Sequence, residues 1–203
     1  MRLMRLLATF VTLALILPQT LGAGSHRLVT DWEDPTFVPR GFKKVFVIGI
    51  TDQAGVRTQF ENKFVSHLRG RQVDGVTSYS IVPQLDRVED AKAIVRALAD
   101  QGVDGAITVR VVTLKDRTEE DWAKEWFEWV GSGSRIRGLI ASTLPVPERD
   151  AKLYGVEVAL WEGSDWSLVW AARSDVYKRK ELEDAGGYFV QLTMAALREA
   201  KLL

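Results

Sequence analysis

The chain has 203 residues, with 27 lysines and arginines against 27 aspartates and glutamates, and no cysteine. That balance lacks the strongly basic face through which a nucleic-acid binder neutralises phosphate. The missing thiol removes disulfides, thiolate catalysis, cysteine metal sites and the lipid-bearing cysteine that follows a bacterial lipoprotein signal.

Arg2 and Arg5 precede an apolar run from Leu6 to Leu17, followed by Pro18 and the small residues Gly22, Ala23 and Gly24. A short basic start, about a dozen apolar residues and a small-residue exit predict a cleavable secretory signal over residues 1–23, cut near Ala23. The run is shorter than the roughly 20 apolar residues that a bilayer span requires. Removing Arg2 and Arg5 leaves two fewer bases than acids. The only asparagine, Asn62, is followed by Lys63 and Phe64, so no glycosylation sequon exists. These features together predict a periplasmic protein without a stable membrane anchor.

Residues 24–41 hold Pro35 and Pro39 without clear periodicity and read as a tether to an α/β domain over 42–203. Val45 to Ile50 is a short apolar, β-branched run and reads as a buried strand. A helix from about Ala54 to Arg69 places Val56, Phe60, Phe64 and Leu68 on one face, and Gly70 ends it. Val76 to Val82 reads as a second strand stopped by Pro83, Val88 to Gln101 as a second helix, and Val103 to Leu114 as a third strand. This β-α-β-α-β order implies parallel strands joined by helical crossovers. Residues 115–150 form an insertion carrying a helix. Lys152 to Trp161 and Ser167 to Tyr177 then read as a hairpin, and a terminal helix carries Ala185, Phe189, Leu192, Ala196 and Ala200 on one stripe. The expected fold is a single α/β domain around a mixed sheet of about five strands.

The chemistry-bearing residues are few. His26 falls in the tether, and His67 lies within the apolar stripe of the first helix. No G-x-S-x-G elbow and no H-E-x-x-H pair occur, and the loop from Gly49 to Gly55 lacks the lysine of a phosphate-binding loop. Arg57 and Glu61 are spaced to pair along the helix. Asp52, Arg57 and Asp116 outline a candidate groove at the carboxyl end of the sheet. Thr118-x-x-Asp121 has the spacing of a capping box at the start of the inserted helix. On that helix Trp122, Trp126 and Trp129 share one face. Such a stripe packs onto the sheet or serves as an aromatic anchor for a protein partner, and the second use makes these three the candidate protein-binding residues. The residues call for no cofactor and no metal.

Several motifs run through most of residues 31–203: Asp31-Trp32-x-x-Pro35, Phe42-Lys43-Lys44-Val45-x-Val47-x-Gly49, Arg57-x-x-Phe60-Glu61-x-x-Phe64, Ser78-Tyr79, Asp104-Gly105 and Leu168-Val169-Trp170. With these motifs the chain resembles a group of uncharacterised exported bacterial proteins. Its element order resembles the amino-terminal α/β domain of TolB and the related domains of LpoB and CsgG. The resemblance implies a cell-envelope protein that acts by binding another envelope protein rather than by catalysis. Many members of the group are lipoproteins, and this chain departs from them in lacking the cysteine. The alternative expectation is a small hydrolase or ligand-binding protein that uses the carboxyl-end groove.

Overall fold

A computed structural model describes residues 27–115, 118–136, 140 and 152–203. The expected signal and its cleavage point near Ala23, His26 and Asp116 lie outside those residues. The strands are β1 (Leu28–Glu33), β2 (Lys44–Ile50), β3 (Asp74–Thr77), β4 (Gly105–Thr113), β5 (Leu153–Glu162), β6 (Leu168–Ser174) and β7 (Tyr177–Lys178). The helices are α1 (Ala54–Arg69), α2 (Val88–Asp100), α3 (Glu119–Gly131) and α4 (Arg179–Glu199). Among the described residues one mixed sheet runs β1-β6-β5-β4-β2-β3, with β7 pairing the start of β5. β3, β2 and β4 are parallel, as the crossovers require, and β5, β6 and β1 add on antiparallel.

Among the described residues the sheet has seven strands, where about five were expected. One addition is β7, a two-residue continuation of the hairpin edge. The other is β1, which corrects the reading of residues 24–41 as a tether. Asp31, Trp32 and Glu33 pair with Ala172, Ala171 and Trp170 of β6, and Asp34 N donates to Val169 O at 3.0 Å. A six-residue edge strand needs only one laddered side, so its polar residues face water without penalty. The second strand is also shorter than expected. After Thr77 the chain turns into a 3₁₀ helix, Ser78–Ser80, because the Glu61 carboxylate takes Ser78 Oγ at 2.7 Å and Tyr79 N at 3.0 Å.

Helices cover both faces. Val56, Phe60, Phe64 and Leu68 of α1 and Phe189, Val190, Met194 and Leu197 of α4 pack on Val45, Val47, Ile107, Val109 and Val158. On the other face Ala91, Ile94 and Leu98 of α2 and Trp126 and Val130 of α3 pack on Phe46, Ile48, Ala159 and Trp161. Each fully buried large side chain contributes about 1.5–3 kcal/mol, so these two layers outweigh the caps and surface pairs in holding the fold. α4 begins at Arg179, ahead of the stripe read from the sequence, and buries a line through Phe189, Thr193 and Leu197. Among the described residues no helix is long and apolar enough to cross a membrane.

Candidate functional site

The tryptophan stripe is the inner face of α3 and packs onto the sheet, the first of its two expected uses, so Trp122 and Trp126 do not form the exposed protein-binding surface that was the other. Trp122 and Trp126 are each 1% exposed and Trp129 is half-buried. Trp122 lies flat on β5 because position 155 is glycine: a Cβ there would stand 2.3 Å from its ring. Its Nε1 donates to Glu157 Oε1 at 2.6 Å. Glu157 sits in a row across three strands, in register with Arg110 on β4 and Arg173 on β6. Arg110 Nε donates to Glu157 Oε2 at 2.7 Å, and its guanidinium stands 5.8 Å from the Trp129 ring centre. The Arg173 guanidinium stacks 4.8 Å from the Trp122 ring centre. The helix start is held by the expected capping box, with Thr118 N and Oγ1 both donating to Asp121 Oδ2 and Asp121 N donating back to Thr118 Oγ1. Those bonds, side chain first, hold the Asp121 carboxyl below the usual aspartate range.

The candidate groove of Asp52, Arg57 and Asp116 is not assembled among the described residues. Asp52 is exposed after β2, whereas Arg57 is 3% exposed and donates four hydrogen bonds within the chain. Arg57 Nε donates to Glu61 Oε1 at 3.0 Å, Nη2 to Ser78 Oγ and Val82 O at 2.8 and 2.9 Å, and Nη1 to Pro83 O at 3.3 Å. Gly49 N donates to the same Glu61 oxygen at 2.9 Å, and a Cβ on Gly49 would meet Arg57 Cγ at 2.8 Å. Gly49, Arg57, Glu61 and Ser78-Tyr79 from the motifs therefore form one buried knot that pins α1 to β2 and β3. His67 is half-buried, and among the described residues no cluster of His, Asp and Glu is arranged to hold a metal.

An open cavity lies at the opposite end of the sheet, where β2 and β4 begin and β5 ends. It measures about 270 Å³ and is lined by Phe37, Arg40, Gly41, Phe42, Lys43, Asp104 and Glu162. Five of these seven come from the segment between β1 and β2. Asp34 and Thr36 form a side-chain turn, with Thr36 N donating to Asp34 Oδ1 at 2.8 Å, and the turn delivers Phe37 to the rim. Gly41, at φ +71°, supplies the left-handed bend that a side chain would strain.

Asp104 anchors the floor. Its two carboxylate oxygens accept Lys43 N at 2.8 Å and Lys44 N at 3.0 Å, and its carbonyl accepts Gly163 N at 2.9 Å. Gly163 has to be small, since a Cβ would approach the Asp104 carbonyl carbon to 2.7 Å. Gly105 gives Phe42 its seat, because a Cβ there would lie 2.4 Å from the ring. Glu162 Oε2 accepts Ser164 N at 3.0 Å and also the Ser164 hydroxyl. Arg40 and Lys43 are exposed and form no ion pair among the described residues. The cleft thus has an aromatic floor, one acid held by backbone donors, a second with Oε1 open, and two cations without an ion pair among the described residues. Sequence reading missed it, although Phe42-Lys43-Lys44 and Asp104-Gly105 marked its parts.

No family model matches the chain, and no curated protein does. Solved structures similar to it include a PelC dodecamer from Paraburkholderia phytofirmans and a single-residue variant of the same assembly. Both are 16% identical over 84% of this chain, with TM-scores of 0.43 and 0.42, and the match spans 94% and 95% of those chains.

Proposed function

We propose that this chain is exported to the bacterial periplasm through its cleavable signal and works there by binding another protein of the envelope, without a catalytic step. The export half rests on Arg2, Arg5 and the apolar run Leu6–Leu17, together with the resemblance to exported proteins with TolB-, LpoB- and CsgG-like domains. The binding half rests on one observation, the preformed cleft of Phe37, Phe42, Arg40, Lys43 and Glu162 beside β2 and β4. Recognition sites combine an apolar wall with a few placed polar groups, and pre-organisation lowers the entropy lost on binding. At the carboxyl end Arg57 is not free to meet a ligand, since Glu61, Ser78, Val82 and Pro83 already accept four of its five N–H groups.

The test is a photo-crosslinking amino acid placed at position 38, a 72% exposed valine between Phe37 and Arg40, and, separately, at the exposed surface position Asp100. In intact cells the first position should capture a defined envelope protein and the second should not. Equal products from both positions, or no cleft-dependent product while the protein is recovered from the periplasm, would refute the binding half. Retention in the cytoplasm would refute the export half.

A further inference from the structure

We propose that the cleft captures the C-terminal residue of a partner polypeptide, with an apolar side chain on Phe37 and Phe42 and the terminal carboxylate on Arg40 and Lys43. This inference rests on the binding reading above and names the partner's chemistry. A cavity of about 270 Å³ lies at the bottom of the range for small-molecule sites, so it accommodates one residue rather than a nucleotide or a long segment.

The charges specify the rest. Each Asp104 oxygen already accepts one backbone N–H, from Lys43 and Lys44, which fixes that carboxylate to the floor. Glu162 has committed Oε2 to Ser164 and keeps Oε1 for a donor. The unpaired groups are therefore two cations at the rim, one carboxylate oxygen and an aromatic floor. A chain terminus complements all of them at once: its carboxylate meets the cations, its last backbone N–H meets Glu162, and its side chain covers the rings. Capture of a terminal carboxylate is a known mode of peptide recognition, and an arginine suits it because its planar fork can bind both oxygens. An internal acidic side chain would match the cations but would bring two chain directions into a residue-sized space.

The probe is a fluorescein-labelled hexapeptide ending in Leu-Phe with a free carboxylate, its amidated counterpart and vesicles of phosphatidylglycerol, each titrated against the purified protein. The free acid should bind by fluorescence anisotropy, and the amide should bind at least tenfold more weakly. Arg40→Glu with Lys43→Glu should weaken the free acid at least tenfold while the circular dichroism and unfolding midpoint stay unchanged, since both side chains project into water. Glu162→Gln should reduce affinity less, because the amide oxygen still accepts. Equal binding of acid and amide, or binding indifferent to the charge reversals, would overturn the proposal. Charge-dependent binding to the vesicles with none to the peptide would assign the cleft to a membrane surface instead. If the peptide fails while position 38 still crosslinks an envelope protein, the terminus proposal falls and the binding function stands.

Discussion

Under α3, Arg110, Glu157 and Arg173 stand side by side on three strands and turn their charge into the protein, whereas at the cleft Arg40 and Lys43 leave theirs at the rim. The two regions are built from similar residue types, aromatic rings beside arginine and glutamate, and they do different work. In the first, every contact that Glu157 makes goes to a neighbour in the same chain, and Trp122 closes the row from above. Burying ions is costly, and among the described residues Arg173 Nε and Nη1 have no hydrogen-bond partner, Nη1 standing 3.8 Å from Glu119 Oε1. Such a row fixes where α3 sits at a cost in stability. In the second region Asp104 is held by backbone donors, whereas Glu162 Oε1 and the two cations have no hydrogen-bond partner among the described residues, so the unused capacity faces outward. An aromatic-charged cluster is thus a docking seat for the protein's own helix or a site for something else, depending on which groups retain unused donors on the water side.

The strongest way to break this comparison is Glu157→Ala. Removing the shared acceptor leaves Arg110 and Trp122 Nε1 unpaired beneath α3, and breaking a buried pair costs about 3–5 kcal/mol. Urea unfolding should show a loss of that size, with peptide binding intact in the fraction that remains folded. A loss under about 1 kcal/mol would mean that the row is no more buried in energetic terms than the rim of the cleft, and the contrast would collapse.

A smaller change acts on the other side. Gly105→Ala places a methyl where the Phe42 ring now lies, and overpacking of this kind costs about 1–3 kcal/mol. It should also tilt the ring off the floor and lower affinity for a C-terminal peptide at least tenfold. Gly55→Ala is the control: nothing lies within 4 Å of its Cβ, and within a helix alanine is favoured by about 0.5–1 kcal/mol. Calorimetric unfolding together with anisotropy separates the two variants. If Gly105→Ala binds normally, Phe42 is not part of the recognition surface.

The sequence shows some of this plainly and hides the rest for identifiable reasons. The helical stripe of Val56, Phe60, Phe64 and Leu68 is local, and so is the capping box of Thr118 and Asp121, and both are in place. The face shared by Trp122, Trp126 and Trp129 is equally local, yet its direction depends on Gly155 and Glu157, which lie about thirty residues further along the chain. β1 is hidden because Leu28–Glu33 alternates weakly and stands near Pro35 and Pro39; its partner β6 is remote in sequence and supplies the ladder. The cleft is hidden most completely. Phe37 to Lys43, Asp104 and Glu162 meet only when β2, β4 and β5 align, and no periodicity links them.

The smallest expected effect sharpens the account of how α3 is held at its exposed end. Asp121 accepts both the backbone N–H and the hydroxyl of Thr118, and those bonds hold its carboxyl below the usual aspartate range. A folded-state value below the unfolded one contributes stability above the unfolded value, about 3.9, and the contribution is lost as pH falls through the folded value. Asp121→Asn removes the titrating group, so its unfolding midpoint should fall short of the parent's at neutral pH, with the gap closing as the solution becomes more acid than that range. Because Asp121 is exposed, added salt should narrow the neutral-pH gap as well. Glu157→Ala should show no comparable sensitivity to salt, since its partners sit beneath the tryptophans and are poorly screened. A gap that stays constant across the acid range would mean that the Thr118 bonds do not discriminate between the charged and neutral carboxyl, and that the tryptophans alone hold the helix in place.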